Sequence, residues 1–345
     1  MRYMPIAKVD AGMVLGQGIL DREGEVMLAK GTLLGQEETR SLVDMGVSGI
    51  YIEDAASSGL EVPGLISQAL WQEALRLVHD LFQEGDAPEV GQDGIIDVAR
   101  RMTKELLAGR GLLYNRIDIR AADDYTFFHA VNVAALSVML GIQTENLDLE
   151  ELTMLAAAGL VHDVGRRYVE EAVLNAKRAL TEEERMLVVQ HAKLSYDYLK
   201  EHYDFAPEVL AGVLEHHEWY NGCGYPMRRS GYEISYFARI IKIADVFDAL
   251  TSKVPYHDPV SPSGAVDYIL ANTGAEFDPD LAELFVKKIA IYPAGCQVEL
   301  SDGRDALVLE NSPESLLRPK VRVLPDGEVV DLQEAKDLAV LELKV

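Results

Sequence analysis

Between Tyr125 and Thr251 the chain sets histidines and aspartates where a helical core calls for aliphatic side chains, and no other feature constrains the fold as tightly. His129 shares a helical face with Val133, Leu136 and Leu140. His162 and Asp163 close the apolar run from Met154 to Val161, with Gly165 as the expected helix stop. His191 falls on a helix expected to open at Thr181, where Glu184 completes a capping box, and its face also carries Leu187, Leu194 and Tyr198. His217 extends the face of Val213 and Leu214 with His216 beside it, and Asp245 lies among Ala238, Ile241 and Ala249.

Burying a carboxylate without a partner costs on the order of several kcal/mol. Any one of these residues, taken alone, reads as a core group satisfied by a local hydrogen bond. Five histidines and two aspartates facing one core are satisfied together if they hold metal ions. Imidazole and carboxylate donors suit Fe, Mn, Zn or Ni, and one carboxylate can bridge two ions. Two-metal sites with ions about 3.5–4 Å apart serve in-line displacement at phosphorus. His79 has no neighbouring ligand type and reads as structural, while His202 and His257 read as facing solvent.

At 345 residues and a net charge of −25, the chain can bury a sizeable core but lacks the dense basic surface that long nucleic acid demands. An anionic small ligand needs local positive charge against that background, and metal ions supply it. Two cysteines, Cys223 and Cys296, make no disulfide framework. No apolar run reads as a membrane span or signal peptide, so a cytoplasmic protein that does not engage a membrane is expected.

Residues 1–53 read as a small α+β unit, with a hairpin turning at Arg22-Glu23-Gly24, a helix over Gln36–Met45 and a returning strand at Gly49–Ile52. Residues 54–64 read as a linker, 65–120 as connecting helices and 121–290 as the catalytic helical domain. Residues 291–345 read as a β-rich extension of two hairpins and a last strand at Val340–Leu343. The expected fold class is mainly α, a helical bundle flanked by a small α+β N-terminal domain and a β-rich C-terminal extension.

His129, His162-Asp163-Val164-Gly165, His191, His216-His217-Glu218, Gly224-Tyr225-Pro226, Asp245 and Ala249-Leu250-Thr251 together resemble the HD-GYP family. That family is a subgroup of the HD-domain phosphohydrolases that degrades the bacterial second messenger cyclic di-GMP. The likeness runs from about Asp123 to Pro279, and Phe277-Asp278-Pro279 also fits it. The resemblance implies an HD-domain bundle holding two divalent transition metal ions, Fe or Mn ahead of Zn or Ni. One ion would be held by His129, His162, Asp163 and Asp245. The other would be held by His191, His216 and His217, with Asp163 bridging. Some members add a third ion through a glutamate four residues before the first histidine; here that position is Tyr125, so two are expected.

By the same resemblance, a hydroxide shared by the metals attacks phosphorus and opens the cyclic dinucleotide to linear pGpG, in some members on to GMP. Asp163 and Arg166 are the expected catalytic residues, and Arg166 stands where the family has lysine. Arg166, Tyr225 and Arg228 are the expected substrate contacts, and a homodimer or a signalling protein is the expected macromolecular partner.

The substrate side departs from the family. Asn221 replaces an aspartate, Val254-Pro255-Tyr256 replaces Arg-Pro-Tyr, Asp258 reverses the sign of a basic position, and Ala176-Lys177-Arg178-Ala179 replaces Lys-Pro-Gly-Lys. Arg228 and Arg229 are additions, read either as replacement charge or as a solvated patch. Three readings follow: a cyclic di-GMP phosphodiesterase, an inactive relative that binds cyclic di-GMP or partner proteins, and a phosphohydrolase for another cyclic dinucleotide or nucleotide. Three smaller alternatives stay open. Glu218 either orients a ligand histidine or ends a helix at the surface. Tyr225 either stacks on guanine or packs under its loop. Asp248 either bonds a ligand or caps its helix.

Overall fold

The structure, a computed structural model, describes residues 1–21, 23–62, 64–82, 90–111, 113–115, 125–174, 176, 178–253 and 258–344. Arg22, Asp123, Lys177 and the segment Val254, Pro255, Tyr256 and His257, all invoked above, lie outside the described residues.

In the N-terminal unit, β1 (Arg2–Pro5) and β2 (Val14–Leu15) flank β5 (Gly49–Glu53) in an antiparallel sheet. β3 (Ile19–Leu20) pairs with β4 (Val26–Leu28) as the expected hairpin, and α1 (Gln36–Asp44) buries Leu42 against the sheet residues. β2 joins the larger sheet instead of continuing into β3, because Gly16 and Gly18 break the apolar stretch that the sequence shows as one run.

The helical centre comprises α2 (Gln68–Leu81), α3 (Gln92–Ala108), α4 (Tyr125–Gln143), α5 (Leu149–Val161), α6 (Glu171–Leu174), α7 (Glu182–Val189), α8 (His191–His202), α9 (Pro207–Glu215), α10 (Tyr236–Thr251), α11 (Pro262–Ala271) and α12 (Pro279–Val286). Local chemistry sets several of its starts. Asp148 caps α5 with Glu151 in a reciprocal box, Ser67 caps α2, and Asp278 caps α12 by accepting from the Asp280 and Leu281 amides. α10 lies in the middle, against α4, α9, α11 and α12. Its Phe247 is fully buried edge to face with Tyr114 and Phe285, at 5.7 and 5.3 Å between ring centroids. α2 and α3 contribute Ala74, Val78, Ile95 and Met102 to the same apolar core as α4 and α5.

Two expectations need correction here. α4 is 19 residues long and apolar enough to cross a membrane by length and composition, so such a run does exist. It is buried among the other helices, the behaviour of a central core helix. The helix expected to run from Thr181 through His191 is broken at Gln190 into α7 and α8. The Thr181–Glu184 capping box forms as expected, but α7 buries nothing and Leu187 is exposed. A stretch with acids at three successive positions of its first turn and no apolar face toward the core gives no reason to stay collinear with α8.

The C-terminal strands β6 (Gln297–Leu300), β7 (Asp305–Ser312), β8 (Ser315–Val323), β9 (Val329–Asp331) and β10 (Val340–Lys344) form one antiparallel sheet in the order β10-β6-β7-β8-β9. Both expected hairpins and the last strand are present. The sheet docks on the N-terminal unit: Ala294 and Cys296 sit in the core of that unit, and the Tyr3 amide donates to the Gly295 carbonyl at 2.7 Å. Arg322 Nη1 donates to the carbonyl of Ala56 at 2.7 Å, tying the linker to the same sheet.

Cys223 is exposed, whereas burial keeps the Cys296 thiol protonated by pushing its pKa far up. Iodoacetamide should therefore label one thiol per folded chain and two after denaturation. Fast labelling of both in the folded chain would show that the joint core of the two ends is not formed.

Candidate metal centre

The ends of α5 and α9, the start of α8, and one face each of α4 and α10 converge on a single buried point. His129 comes from α4, His162 and Asp163 from the turn after α5, His191 from the start of α8, His216 and His217 from the end of α9, and Asp245 from α10. All seven expected ligands are brought together. Asp163 lies at the centre with its two oxygens facing different histidines. Oδ2 is 3.4 Å from His162 Nε2 and 3.8 Å from His129 Nε2, while Oδ1 is 3.2 Å from His191 Nε2 and 3.9 Å from His216 Nε2. Asp245 Oδ1 lies 3.0 Å from His129 Nε2, and its Oδ2 lies 3.9 Å from His217 Nδ1.

Backbone carbonyls fix the tautomers. His162, His191 and His216 donate from Nδ1 to the carbonyls of Gly159, Val188 and Val213, at 2.8, 2.5 and 2.7 Å. Each carbonyl sits three residues earlier, in the last turn of a helix, where carbonyls lack intrahelical partners. A carbonyl only accepts, so each Nδ1 carries the proton and each Nε2 lone pair points into the cluster. His191 Nε2 then meets His216 Nε2 at 3.3 Å and His217 Nε2 at 3.1 Å. His162 Nε2 and both Asp163 oxygens are buried without a hydrogen-bond partner. Lone pairs converging on one another in a dry interior repel unless a cation lies among them. The residues fit bound metal.

Protonation favours the same outcome. Burial holds His162 and His217 below the ordinary imidazole range and pushes His216 down to about 3, with neighbouring imidazoles adding to the effect. Burial opposes charge on Asp163 and Asp245. Arg166 and the surrounding histidines nevertheless hold Asp163 well below the carboxylate range, and His129, 3.0 Å away, does the same for Asp245. His129 departs from its neighbours: burial disfavours its charge, but Asp245 and Asp248 outweigh that and raise it to about 9. Arg166 Nε stands 2.8 Å from Asp163 Oδ2, a cation at the rim of an otherwise anionic cluster.

A family model described as an HD domain matches residues 114–281. Residues 114–281 of the helical centre are an HD domain. A protein from Pseudomonas aeruginosa named cyclic di-GMP phosphodiesterase PA4108 is 34% identical over 227 residues, 66% of this chain and 54% of that protein. The cyclic di-GMP phosphodiesterase response regulator RpfG of Xanthomonas campestris pv. campestris is 34% identical over 44% of this chain and 41% of its own length. A Vibrio cholerae protein named 3'3'-cGAMP-specific phosphodiesterase 2 is 31% identical over 54% of this chain and 35% of its own length. The chain thus spans about half or less of these relatives. Bd1817, an HDG"Y"P protein from Bdellovibrio bacteriovorus, shares the fold, with a TM-score of 0.51, 13% identity, and coverage of 82% of this chain and 97% of that one.

Within the HD domain, several sequence expectations change. Gly165 does not end α5 through a left-handed turn. It lets the 3-10 turn Val164–Tyr168 lie directly on α8, since a Cβ there would meet the His191 carbonyl at 2.3 Å and the Ser195 amide at 2.4 Å. His216, with the weaker facial periodicity, is fully buried, and His217 keeps 15% of its side chain exposed. The reason is that α9 ends at Glu215, so the helical phase no longer applies to either histidine. His202 is half-buried, its ring 4.7 Å from that of Tyr198, and does not simply face solvent. His79 packs on Phe127 as a structural residue.

The open alternatives resolve from contacts. Asp248 Oδ2 accepts from His129 Nδ1 at 2.7 Å, and Asn132 Nδ2 donates to its Oδ1 at 2.8 Å. Glu218 does neither thing expected of it: buried, it accepts from the backbone amides of Met227 and Arg229 at 2.5 and 3.1 Å and folds the loop back toward the histidines. Gly224 permits that fold, because a Cβ there would meet the Trp219 amide nitrogen at 2.2 Å. The Tyr225 ring stacks on His217 at 4.8 Å. Arg229 pairs with buried Glu215 at 2.7 Å, a structural use of one of the two added arginines, while Arg228 is exposed with φ 56°. Tyr125 places its hydroxyl 3.1 Å from His129 Nδ1 and its ring against the imidazole.

Asn132 and Glu215 were not singled out from the sequence. Asn132 lies three residues beyond His129, on the adjoining helical face, but only the position of α10 makes it a partner of Asp248. Asp248→Ala should weaken metal binding by roughly 10–100-fold, as loss of a carboxylate behind a ligand histidine typically does. Competition of Mn2+ against a chromogenic chelator measures this, and an unchanged affinity would remove Asp248 from the site.

Proposed function

We propose that this chain is a metal-dependent phosphodiesterase that hydrolyses cyclic di-GMP to pGpG. One observation carries the reading: a single buried carboxylate, Asp163, turns its two oxygens to two separate groups of imidazole nitrogens. That arrangement suits two divalent ions, Fe or Mn ahead of Zn or Ni, held by His129, His162, Asp163 and Asp245 on one side and by His191, His216 and His217 on the other. Such ions supply Lewis acidity and water of lowered pKa. The chain's own groups hold and orient. Asp248 and the three helix-end carbonyls fix the ligand rings, and Arg166 places a fixed positive charge beside Asp163 for an anionic phosphate. Hydrolysis adds the water oxygen to phosphorus, breaks the bond to the ribose 3′ oxygen and leaves a proton on that oxygen. Tyr225, stacked on His217, and exposed Arg228 flank the approach as substrate contacts. Two free cysteines agree with a reducing compartment.

Relatives named for cyclic di-GMP and for 3'3'-cGAMP resemble the chain at comparable identity, 34% and 31%. Both substrates therefore belong in the test. Protein loaded with Mn2+ or Fe2+ is expected to convert cyclic di-GMP to pGpG faster than it opens 3'3'-cGAMP or cyclic di-AMP. No product from any of the three would sink the enzymatic reading, and a faster reaction with 3'3'-cGAMP would reassign the substrate.

A further inference from the structure

A cavity of about 240 Å³ lies between the N-terminal unit and the helical centre, lined by none of the seven cluster residues. The loop around Gly16–Leu20 and the linker wall one side, and α2, α4 and residues 113–115 wall the other. Engineered apolar cavities of about 150 Å³ already accept a benzene ring, so this one has room for something larger. Ligand sites favour such domain junctions, with apolar walls and a few converging polar groups.

The lining is specific in kind. Trp71 and Phe128 meet edge to face, 5.0 Å between centroids, and with Tyr114 they offer aromatic surface. Gln17, Asn115 and Asn132 add amides, which both donate and accept. Of the two cationic groups on lining residues, Lys30 is already paired with Glu53 at 3.1 Å and the Met1 ammonium donates to the Leu60 carbonyl. Aromatic faces with amide edges and cations already engaged suit an uncharged planar heterocycle and disfavour a phosphorylated one.

The wall also reaches the metal cluster. Phe128 precedes His129, and Asn132 donates at 2.8 Å to Asp248, whose other oxygen accepts from His129 Nδ1 at 2.7 Å. We infer that this cavity is a regulatory site for an uncharged bicyclic heteroaromatic base, and that its occupancy is felt at His129 through Asn132 and Asp248. A ligand that draws Asn132 away from Asp248 loosens the imidazole, and one that presses Asn132 into place stiffens it. By linkage, metal at His129 must alter affinity in the cavity by the same factor.

The chain has two tryptophans, so Trp219→Phe leaves Trp71 as its sole tryptophan and a reporter inside the cavity. Adenine and guanine, titrated separately into that full-length variant, are expected to change Trp71 emission saturably for at least one base. Adding Ala135→Leu, which fills the cavity, should weaken the response at least tenfold. Gln17→Ala, on a loop where it does not threaten folding, should weaken it severalfold. Saturating Mn2+ should shift the affinity of the responding base about fivefold or more. No saturable response to either base overturns the site, as does a response that both variants leave unchanged. An affinity indifferent to Mn2+ overturns the link to His129. None of these readouts needs turnover, so they stand apart from the outcome of the phosphodiesterase assay.

Discussion

Asp163→Asn should abolish metal retention and phosphodiesterase turnover while leaving the fold intact. The asparagine side chain has nearly the same shape but keeps one oxygen and places an amide where the second oxygen stood. Asp163 turns Oδ2 to His162 and His129 and Oδ1 to His191 and His216. The amide therefore presents N–H groups to one of the two imidazole sets, and that set loses its anionic donor. The loss in metal affinity should exceed the roughly 10–100-fold typical of a partner one step removed from the metal. Stability without metal should fall, because the neutral amide gives up the ion pair that Asp163 Oδ2 makes with Arg166 Nε at 2.8 Å, a loss only partly offset by N–H donation to the imidazole lone pairs around it. Metal analysis after gel filtration, product analysis on cyclic di-GMP and thermal melts of the metal-free chain check the three parts. Full turnover in the variant would show that Asp163 is not at the reaction centre.

Gly165→Ala should be nearly as damaging by a different route. The substitution is a single methyl group, and Gly165 is not in a left-handed conformation, so no backbone strain is involved. The damage is steric: the new Cβ would fall 2.3 Å from the His191 carbonyl oxygen and 2.4 Å from the Ser195 amide nitrogen. Both are backbone atoms of α8, which cannot rotate away as a side chain can. The helix must move, and His191 moves with it, away from Asp163. Overpacking of this kind costs on the order of 1–3 kcal/mol, a fall of roughly 3–10 °C in melting midpoint. The metal set of His191, His216 and His217 should weaken more than that of His129, His162 and Asp245. Melting curves with and without Mn2+, together with metal stoichiometry, test this. A variant with wild-type melting and two bound ions would mean that α8 does not rest on the turn.

Much of the site was legible because helical phase and burial act over a few residues. The apolar neighbours of His129 and Asp245 are four to eleven positions away in sequence and set the inward face directly. The same logic misjudged His216 and His217, because α9 ends before them and phase carries no information past a helix end. It also joined α7 to α8, since a run of helix-forming residues does not reveal that one half has no core to pack on. The sequence reading also passed over α4, which is apolar enough to span a membrane because a helix buried in a core is as apolar as a span.

The sequence by itself determined which donors the helical centre would bring to its core and most of the stretches that would be helix or strand. The tertiary structure decided which oxygen of Asp163 faces which imidazole, that Asp248 stands behind His129, that Gly165 is a contact point, and that the two ends of the chain share a core. These features join residues such as 129 and 248, which are 119 positions apart. No local preference encodes such a pairing. It follows only when α4, α5, α8, α9 and α10 bury their faces together and bring these side chains to one point.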